Sequence, residues 1–172
     1  IAEEMTDSKV VGWMQGRFEW GPRALGARSI LADPRSERMK EVVNTKIKFR
    51  EPFRPFAPVV LRDRALEYFD YPDVQEHEAP RYMLMVSPVR EEKQHEIQAV
   101  VHKGTGRLQA IERETNPRYY GLVERFGQLT GVPVVLNTSF NLRGEPIVNT
   151  PANALNTFFN SDIDLLAMET IL

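Results

Sequence analysis

The chain has 172 residues, enough for one domain with a substantial core, and its 42% hydrophobic and 27% charged residues exclude a disordered or fibrous polypeptide. It contains no cysteine, which rules out disulfides, thiolate zinc sites, iron–sulfur clusters and a thiol nucleophile, and suits a reducing compartment. A net charge of −2 argues against broad, non-specific binding to nucleic acid, and no apolar run approaches the roughly 18 residues that span a bilayer, so the sequence reads as soluble and cytoplasmic.

The first residues, Ile1-Ala2-Glu3-Glu4-Met5, lack the basic start and apolar centre of a secretion signal. They open on Ile1 within a helical stretch that ends near Ser8, so the chain is expected to be a fragment of something longer. Residues 9–14, rich in Val and Trp, predict a strand, and residues 16–26, with three glycines and a proline, predict a shaped loop. Residues 28–32 return to strand character until Asp33-Pro34 stops them. Ser36 reads as the N-cap of a helix with Met39, Val42, Val43 and Ile47 at helical spacing. Residues 56–61 predict a buried strand, Asp63 caps a short helix through Phe69, and the acidic, turn-rich residues 71–79 are expected to be mobile. Two further strands are expected over 81–86 and 97–101. Asn116-Pro117 starts a helix with Tyr119, Leu122, Val123, Phe126 and Leu129 on one face and Gly131 at its end. Residues 132–136 predict a buried strand. Thr150-Pro151 starts another helix carrying Leu155, Phe158 and Phe159, whose aromatic rings are expected in the core, and residues 163–168 close the sheet.

Four segments share a pattern of cations set among Gly, Pro and amides. The most informative is Asn137-Thr138-Ser139-Phe140-Asn141-Leu142-Arg143-Gly144-Glu145-Pro146, at the carboxyl end of an apolar strand, where α/β sheets commonly bind ligands. Hydroxyls, amides and a guanidinium there suit a phosphate or acyl oxygen, although the same residue types also build ordinary turns. In Lys48-Phe49-Arg50-Glu51-Pro52-Phe53-Arg54-Pro55-Phe56-Ala57-Pro58, an extended backbone puts Lys48 and Arg50 on one side, able to pinch one anion, or alternatively paired with Glu51 or surface acids. His102-Lys103-Gly104-Thr105-Gly106-Arg107 contains a hairpin-like turn, with His102 either an acid–base group or structural. The fourth, Gly16-Arg17-Phe18-Glu19-Trp20-Gly21-Pro22-Arg23-Ala24-Leu25-Gly26, belongs to an early third of the chain crowded with Arg17, Arg23, Arg28, Lys46, Lys48, Arg50 and Arg54. None of them matches a Walker, dinucleotide or zinc pattern.

Together these segments resemble the C-terminal domain of the NodU/TobZ/CmcH family of O-carbamoyltransferases. The run from Gly16 through Ala27-Arg28-Ser29-Ile30-Leu31 carries the likeness most specifically, joined by Arg54-Pro55-Phe56-Ala57-Pro58 and Asn137-Thr138-Ser139-Phe140-Asn141. The resemblance implies an α/β fold, a YrdC-like twisted mixed β-sheet flanked by helices, with residues 1–172 as a single domain and a separate N-terminal, actin-like ATPase-type domain in the same polypeptide. Lys48-Phe49-Arg50 is similar to the Lys-x-Arg pair of YrdC proteins, and Ser139-Phe140-Asn141 with Gly144 to their Ser-x-Asn-x-x-Gly element. Where the family pattern places an acid before Gly-Thr, Lys103 stands here.

The implied activity is formation of carbamoyl adenylate from carbamoyl phosphate and ATP, with Mg2+ arriving on ATP rather than in a protein cage, and the carbamoyl group then passing to an acceptor hydroxyl in the other domain. On that reading Lys48, Arg50 and Arg107 hold carbamoyl and phosphate oxygens, with Arg54 as support. Thr138, Ser139, Asn141 and Arg143 hold the nucleotide phosphates and orient the carbamoyl amide, and Arg17, Glu19 and Arg23, with exposed Trp20, face the other domain. No protein metal site is expected. The rival readings are a non-catalytic RNA-binding module and a nucleotide sensor.

Overall fold

The computed structural model describes residues 1–172 apart from the side chain of Lys46, so that member of the early cation group lies outside the described residues. In chain order the elements are α1 (Ala2–Thr6), β1 (Val11–Met14), β2 (Arg28–Ala32), α2 (Glu37–Val42), β3 (Ala57–Leu61), α3 (Ala65–Tyr68), β4 (Met85–Pro88), β5 (Thr105–Ile111), α4 (Pro117–Thr130), β6 (Val134–Ser139), α5 (Pro151–Phe159) and β7 (Leu165–Met168). The seven strands form one mixed sheet in the order β4-β5-β3-β6-β2-β1-β7. At its centre β6 runs antiparallel to both neighbours, with Leu136 opposite Ala32 on β2 and Pro58 on β3. The pairs β3–β5 and β1–β7 are parallel.

Both faces of this sheet are covered, which explains why its inner strands read as nearly continuous apolar runs and not as alternating ones. On one face Leu31, Val59 and Val135 pack with Met5 of α1 and with Tyr119, Val123 and Phe126 of α4. On the other, Ile30, Val60 and Leu136 pack with Met39, Tyr68, Phe69 and Ala154. The helix ends are set by local chemistry. Asn116 Oδ1 accepts the Tyr119 N–H (3.1 Å) and Gly131 ends α4 at φ +79°. Thr150 and Asn153 form a capping box at the start of α5.

Several expectations are corrected. The strand placed at 97–101 is a short 3-10 turn, Gln98–Val100, and the real strand is β5, which follows the turn at Gly104. Ile97, Ala99 and Val100 are buried, and a short apolar run is equally consistent with a buried turn. Residues Ala79–Tyr82 form another 3-10 turn, so β4 begins only at Met85. Asp63 caps no helix. It lies inside the turn Arg62–Arg64, with its carboxylate oxygens 3.4 Å from the Tyr120 hydroxyl. Phe159, assigned to the core by its spacing, is 77% exposed, and Leu129 is exposed at the tail of α4.

The acidic segment 71–79, expected to be mobile, is bonded through three of its carbonyls. The buried Arg62 guanidinium donates to the carbonyls of Val74 (3.0 Å), Gln75 (2.7 Å) and His77 (3.1 Å) and pairs with Glu112. Charge-assisted bonds of this kind hold irregular backbone that has no ladder of its own. Replacing Arg62 by Met is expected to accelerate amide hydrogen exchange of residues 73–78 by about tenfold or more relative to amides in α4, the effect of losing roughly 1.4 kcal/mol of local bonding. Equal acceleration of both regions would show that Arg62 serves global stability only.

Candidate functional site: a cationic double cavity at the carboxyl end of the central strand

The polar cluster at residues 137–146 is partly strand and partly turn, since β6 continues through Asn137, Thr138 and Ser139 before the chain reverses. Facing it is the end of α2, which widens into a π-helical turn over Val43–Ile47, closed by the bond from Lys48 N–H to Val43 O (2.9 Å). Phe49 then takes a left-handed conformation, φ +47°, sparsely populated for a bulky side chain. Lys48 and Arg50 therefore do converge on one cavity, but through this reversal and not through the extended backbone expected from their spacing.

Lys48 is 5% exposed, and its Nζ donates to Ser139 O (2.8 Å), Asn141 O (2.8 Å) and Asn141 Oδ1 (2.7 Å). Those three oxygens engage all three ammonium protons, so Lys48 stitches the end of the helix to the end of the strand and contributes its charge from behind the cavity wall. Burial draws the Lys48 ammonium down to about 7, Arg50 adds to that fall, and Glu145 opposes it. Ser139 Oγ donates to Asn141 Oδ1 (2.7 Å), and Asn141 Nδ2 to Glu145 O (2.7 Å). Glu145 Oε2 accepts from the Leu142 N–H (3.0 Å) and Thr157 Oγ1 (3.2 Å), while Gly144 turns the chain at φ +83°. The turn is thus internally bonded.

Arg50 is held by a residue that no sequence pattern singles out. Buried Asn44, inside the π turn, accepts from Arg50 Nε (2.6 Å) and donates to Pro52 O (3.2 Å) and Arg54 O (3.0 Å). An Asn within a helical pattern ordinarily reads as a weak propensity choice, so only the wide turn exposes its role. The Arg50 guanidinium lies 4.8 Å above the Phe56 ring, and burial, then the Arg54 charge, lowers its pKa.

Two cavities meet at Arg50 and Ser139. The larger, about 240 Å3, is bounded by Lys48, Arg50, Arg54, Ser139, Asn141 and Arg143, with Glu51, paired to Arg54 at 2.8 Å, on its rim. The smaller, about 110 Å3, is bounded by Arg23, Arg50, Arg107, Asn137, Thr138 and Ser139. Burial and then the Arg23 charge lower the Arg107 pKa, and Arg107 Nε has no hydrogen-bond partner among the described residues. Like charges this close repel one another, and an anion between them relieves that repulsion. The arrangement suits a ligand with more than one anionic group.

The remaining sequence candidates lie elsewhere. Glu19 Oε1 accepts the N–H groups of Leu25 (2.9 Å) and Ala27 (3.1 Å), shaping the loop at 16–26, and burial raises the pKa of its carboxyl against those bonds. Arg17 is exposed and borders neither cavity, and His102 closes the turn into β5 through its backbone bonds with Thr105. Trp20 is fully exposed. Among the described residues no cluster of three or more His, Asp or Glu could hold a metal ion, and no helix is long and apolar enough to cross a membrane.

This mixed sheet with its flanking helices has a YrdC-like fold. It superposes on the crystal structure of full-length HypF in the phosphate- and nucleotide-bound form (TM-score 0.68, 16% identity, 98% of this chain and 24% of that one). It also superposes on a structure of P. abyssi Sua5 (TM-score 0.61, 16% identity, 97% and 46%). At these identities the likeness is one of fold. The family described as "Carbamoyltransferase C-terminus" matches residues 2–172, and the chain belongs to it. Among curated relatives, nodulation protein NolNO of Sinorhizobium fredii is 49% identical over 99% of this chain and 25% of its own length. Nodulation protein NolO of Bradyrhizobium diazoefficiens is 46% identical over 97% and 30%. The chain thus spans under a third of the length of these relatives.

With Lys48 at about 7, its ammonium is charged below that pH and neutral above it. A bound anion favours the charged form, so affinity should fall as pH rises through 7. Sulfate, which does not titrate in this range, is expected to bind several-fold more weakly at pH 8.5 than at pH 6, and Lys48→Arg should flatten the profile because a guanidinium stays protonated. Isothermal titration calorimetry at both pH values checks this, and a pH-independent sulfate affinity in the parent protein would count against it.

Proposed function

We propose that this domain forms carbamoyl adenylate from ATP and carbamoyl phosphate, as part of a longer carbamoyltransferase in which a separate N-terminal domain passes the carbamoyl group to an acceptor hydroxyl. The observation that carries this reading is the convergence of Lys48, Arg50, Arg54 and Arg143 on one cavity and of Arg23, Arg50 and Arg107 on an adjoining one. Membership of the carbamoyltransferase C-terminus family supports the group transferred. The HypF structure of the same fold is described as phosphate- and nucleotide-bound, which supports a nucleotide and a phosphate compound as ligands here.

The chemistry joins anions. Hydrolysis of carbamoyl phosphate yields carbamate and inorganic phosphate, and a carbamate oxygen then attacks the α-phosphorus of ATP. The bond from that phosphorus to the bridging oxygen breaks, and pyrophosphate leaves. Fixed cations that already face the charge do most of the work, because they need no reorganisation as it develops. Arg54, Arg143, Ser139 and Asn141 are placed to receive nucleotide phosphates, and Arg107, Arg50 and Thr138 the carbamoyl end, with Lys48 shaping the wall between them. Mg2+ would arrive on ATP, bound through phosphate oxygens and water.

A charge-assisted contact contributes roughly 1.5 to 3 kcal/mol, so Arg143→Ala should weaken ATP binding about tenfold or more, and Lys48→Ala, which removes the tie between the two sides of the cavity, should weaken it as well. Calorimetry on folded variants measures this, and unchanged affinity in both would sink the assignment. Pyrophosphate release by the full-length polypeptide, dependent on both ATP and carbamoyl phosphate, tests the reaction. Nucleotide binding without release would indicate a sensor instead.

A further inference from the structure

Asn44 is 0% exposed, so it touches no ligand itself. The orientation of its amide is fixed by its neighbours. Nδ2 donates to the carbonyls of Pro52 (3.2 Å) and Arg54 (3.0 Å), which can only accept, and Oδ1 must then face Arg50 Nε (2.6 Å), which can only donate. The Asn44 carbonyl also accepts the Arg50 N–H (2.9 Å), so one buried residue holds Arg50 by backbone and side chain together. The Phe56 ring supports the face of the guanidinium at 4.8 Å, but stacking alone leaves a planar group free to turn in its own plane. The bond from Nε to Asn44 removes that freedom.

What this clamp leaves free is the end of the side chain. Arg50 Nη1 and Nη2 have no partner among the described residues, and neither is a buried unpaired atom, so both keep accessible surface. Arg50 is also the one cation that borders both cavities, which it shares with Ser139. A guanidinium tied through Nε presents its two amino groups as a planar fork, matched to two oxygens of the same or adjoining anions. We infer that Asn44 is a positioning residue that sets this fork across the boundary between the cavities, where one amino group meets an α-phosphate oxygen of ATP and the other meets the carbamate. As the carbamate oxygen bonds to the α-phosphorus and pyrophosphate departs, negative charge builds where those groups join. A guanidinium already locked in place stabilises it without reorganising. The wide turn over Val43–Ile47 thereby gains a use, since it is what carries the Asn44 amide inward beneath Arg50. The assignment rests on the adenylation reading above, and names the residue that orients its central cation.

The test is a double-mutant cycle, read as pyrophosphate release from ATP and carbamoyl phosphate by the full-length polypeptide. Arg50→Ala is expected to lower kcat about a hundredfold, and Asn44→Ala about tenfold with the KM for ATP changed less than about threefold, the pattern of a contact that strengthens in the transition state. In the Arg50→Ala background, Asn44→Ala should cost less than about twofold more, because its route to the chemistry is gone. A merely structural Asn44 would cost a similar factor in both backgrounds, or raise KM as much as it lowers kcat, and either result overturns the proposal. A second measurement needs no variant of Asn44. By 15N NMR of the parent, the Arg50 Nε–H, bonded to a buried oxygen, is expected to exchange with solvent about tenfold or more slower than that of exposed Arg38. Equal exchange overturns the clamp even where Asn44→Ala fails to fold. If the parent releases no pyrophosphate at all, the adenylation reading falls and this assignment with it; release with equal factors in the two backgrounds removes only the role of Asn44.

Discussion

The arrangement of this site depends on one buried ammonium. Lys48 Nζ sits among two backbone carbonyls and an amide oxygen of the Ser139 to Asn141 reversal and so ties the end of the α2 helical segment to the end of β6. Everything that faces the larger cavity hangs from one side or the other of this junction: Arg50 and Arg54 from the helical side, Ser139, Asn141 and Arg143 from the strand side. Water is mostly excluded, so the three bonds are strong, yet the desolvation of the charge is correspondingly costly. The folded protein holds Lys48 near 7 against an ordinary 10.5. It thus binds fewer protons than the unfolded chain between those values, and the penalty is greatest below pH 7 and shrinks as pH rises toward 10.5.

That cost has a functional counterpart. A site meant only for stability would replace the buried cation with an apolar side chain of similar volume. Here the destabilising choices accumulate in one place: a desolvated lysine, Phe49 in the left-handed region, Arg107 Nε without a partner, and guanidiniums facing one another across about 110 Å3. Strain and like-charge repulsion concentrated at the mouth of one strand are what an anion would relieve, and the sheet behind, buried on both faces, supplies the stability that tolerates them.

The legibility of this chain follows the same division. Elements governed by local rules were readable: β2 runs over the residues its apolar run marks, and α4 and α5 begin and end on their capping residues and Gly131. The residues that border the cavities were also largely marked, because guanidiniums among Gly and Pro are an unusual local composition. The failures are those of tertiary context. Ile97, Ala99 and Val100 are apolar because they are buried, not because they pair in the sheet, and Phe159 has core chemistry in an exposed position. Asn44 and Gln109 were missed, and the packing role of Asn137 was not foreseen, since the value of each lies in partners between 6 and 113 positions away, and no local pattern reports a bond such as Asn137 Nδ2 to Ala24 O.

Loop 16–26 shows how a distant segment becomes part of such a site. It contains little regular structure, yet its carbonyls and amides are almost individually assigned: Ala24 O to Asn137, Leu25 O to Gln109, Gly26 O to Trp13 Nε1, and the Leu25 and Ala27 N–H groups to Glu19. At its base the buried Arg28 guanidinium donates to Gln15 O, Gly16 O and Asn149 O. Gly26 is required at φ +113°, because a Cβ there would strike the Tyr119 ring, so the loop is pressed onto α4 as closely as backbone can approach. Its inner edge, through Ala24 and Leu25, fixes the amide orientations at the cavity wall, while its outer edge carries Trp20 fully into solvent. One short irregular segment thereby meets the cavity wall along its inner edge and solvent along its outer edge.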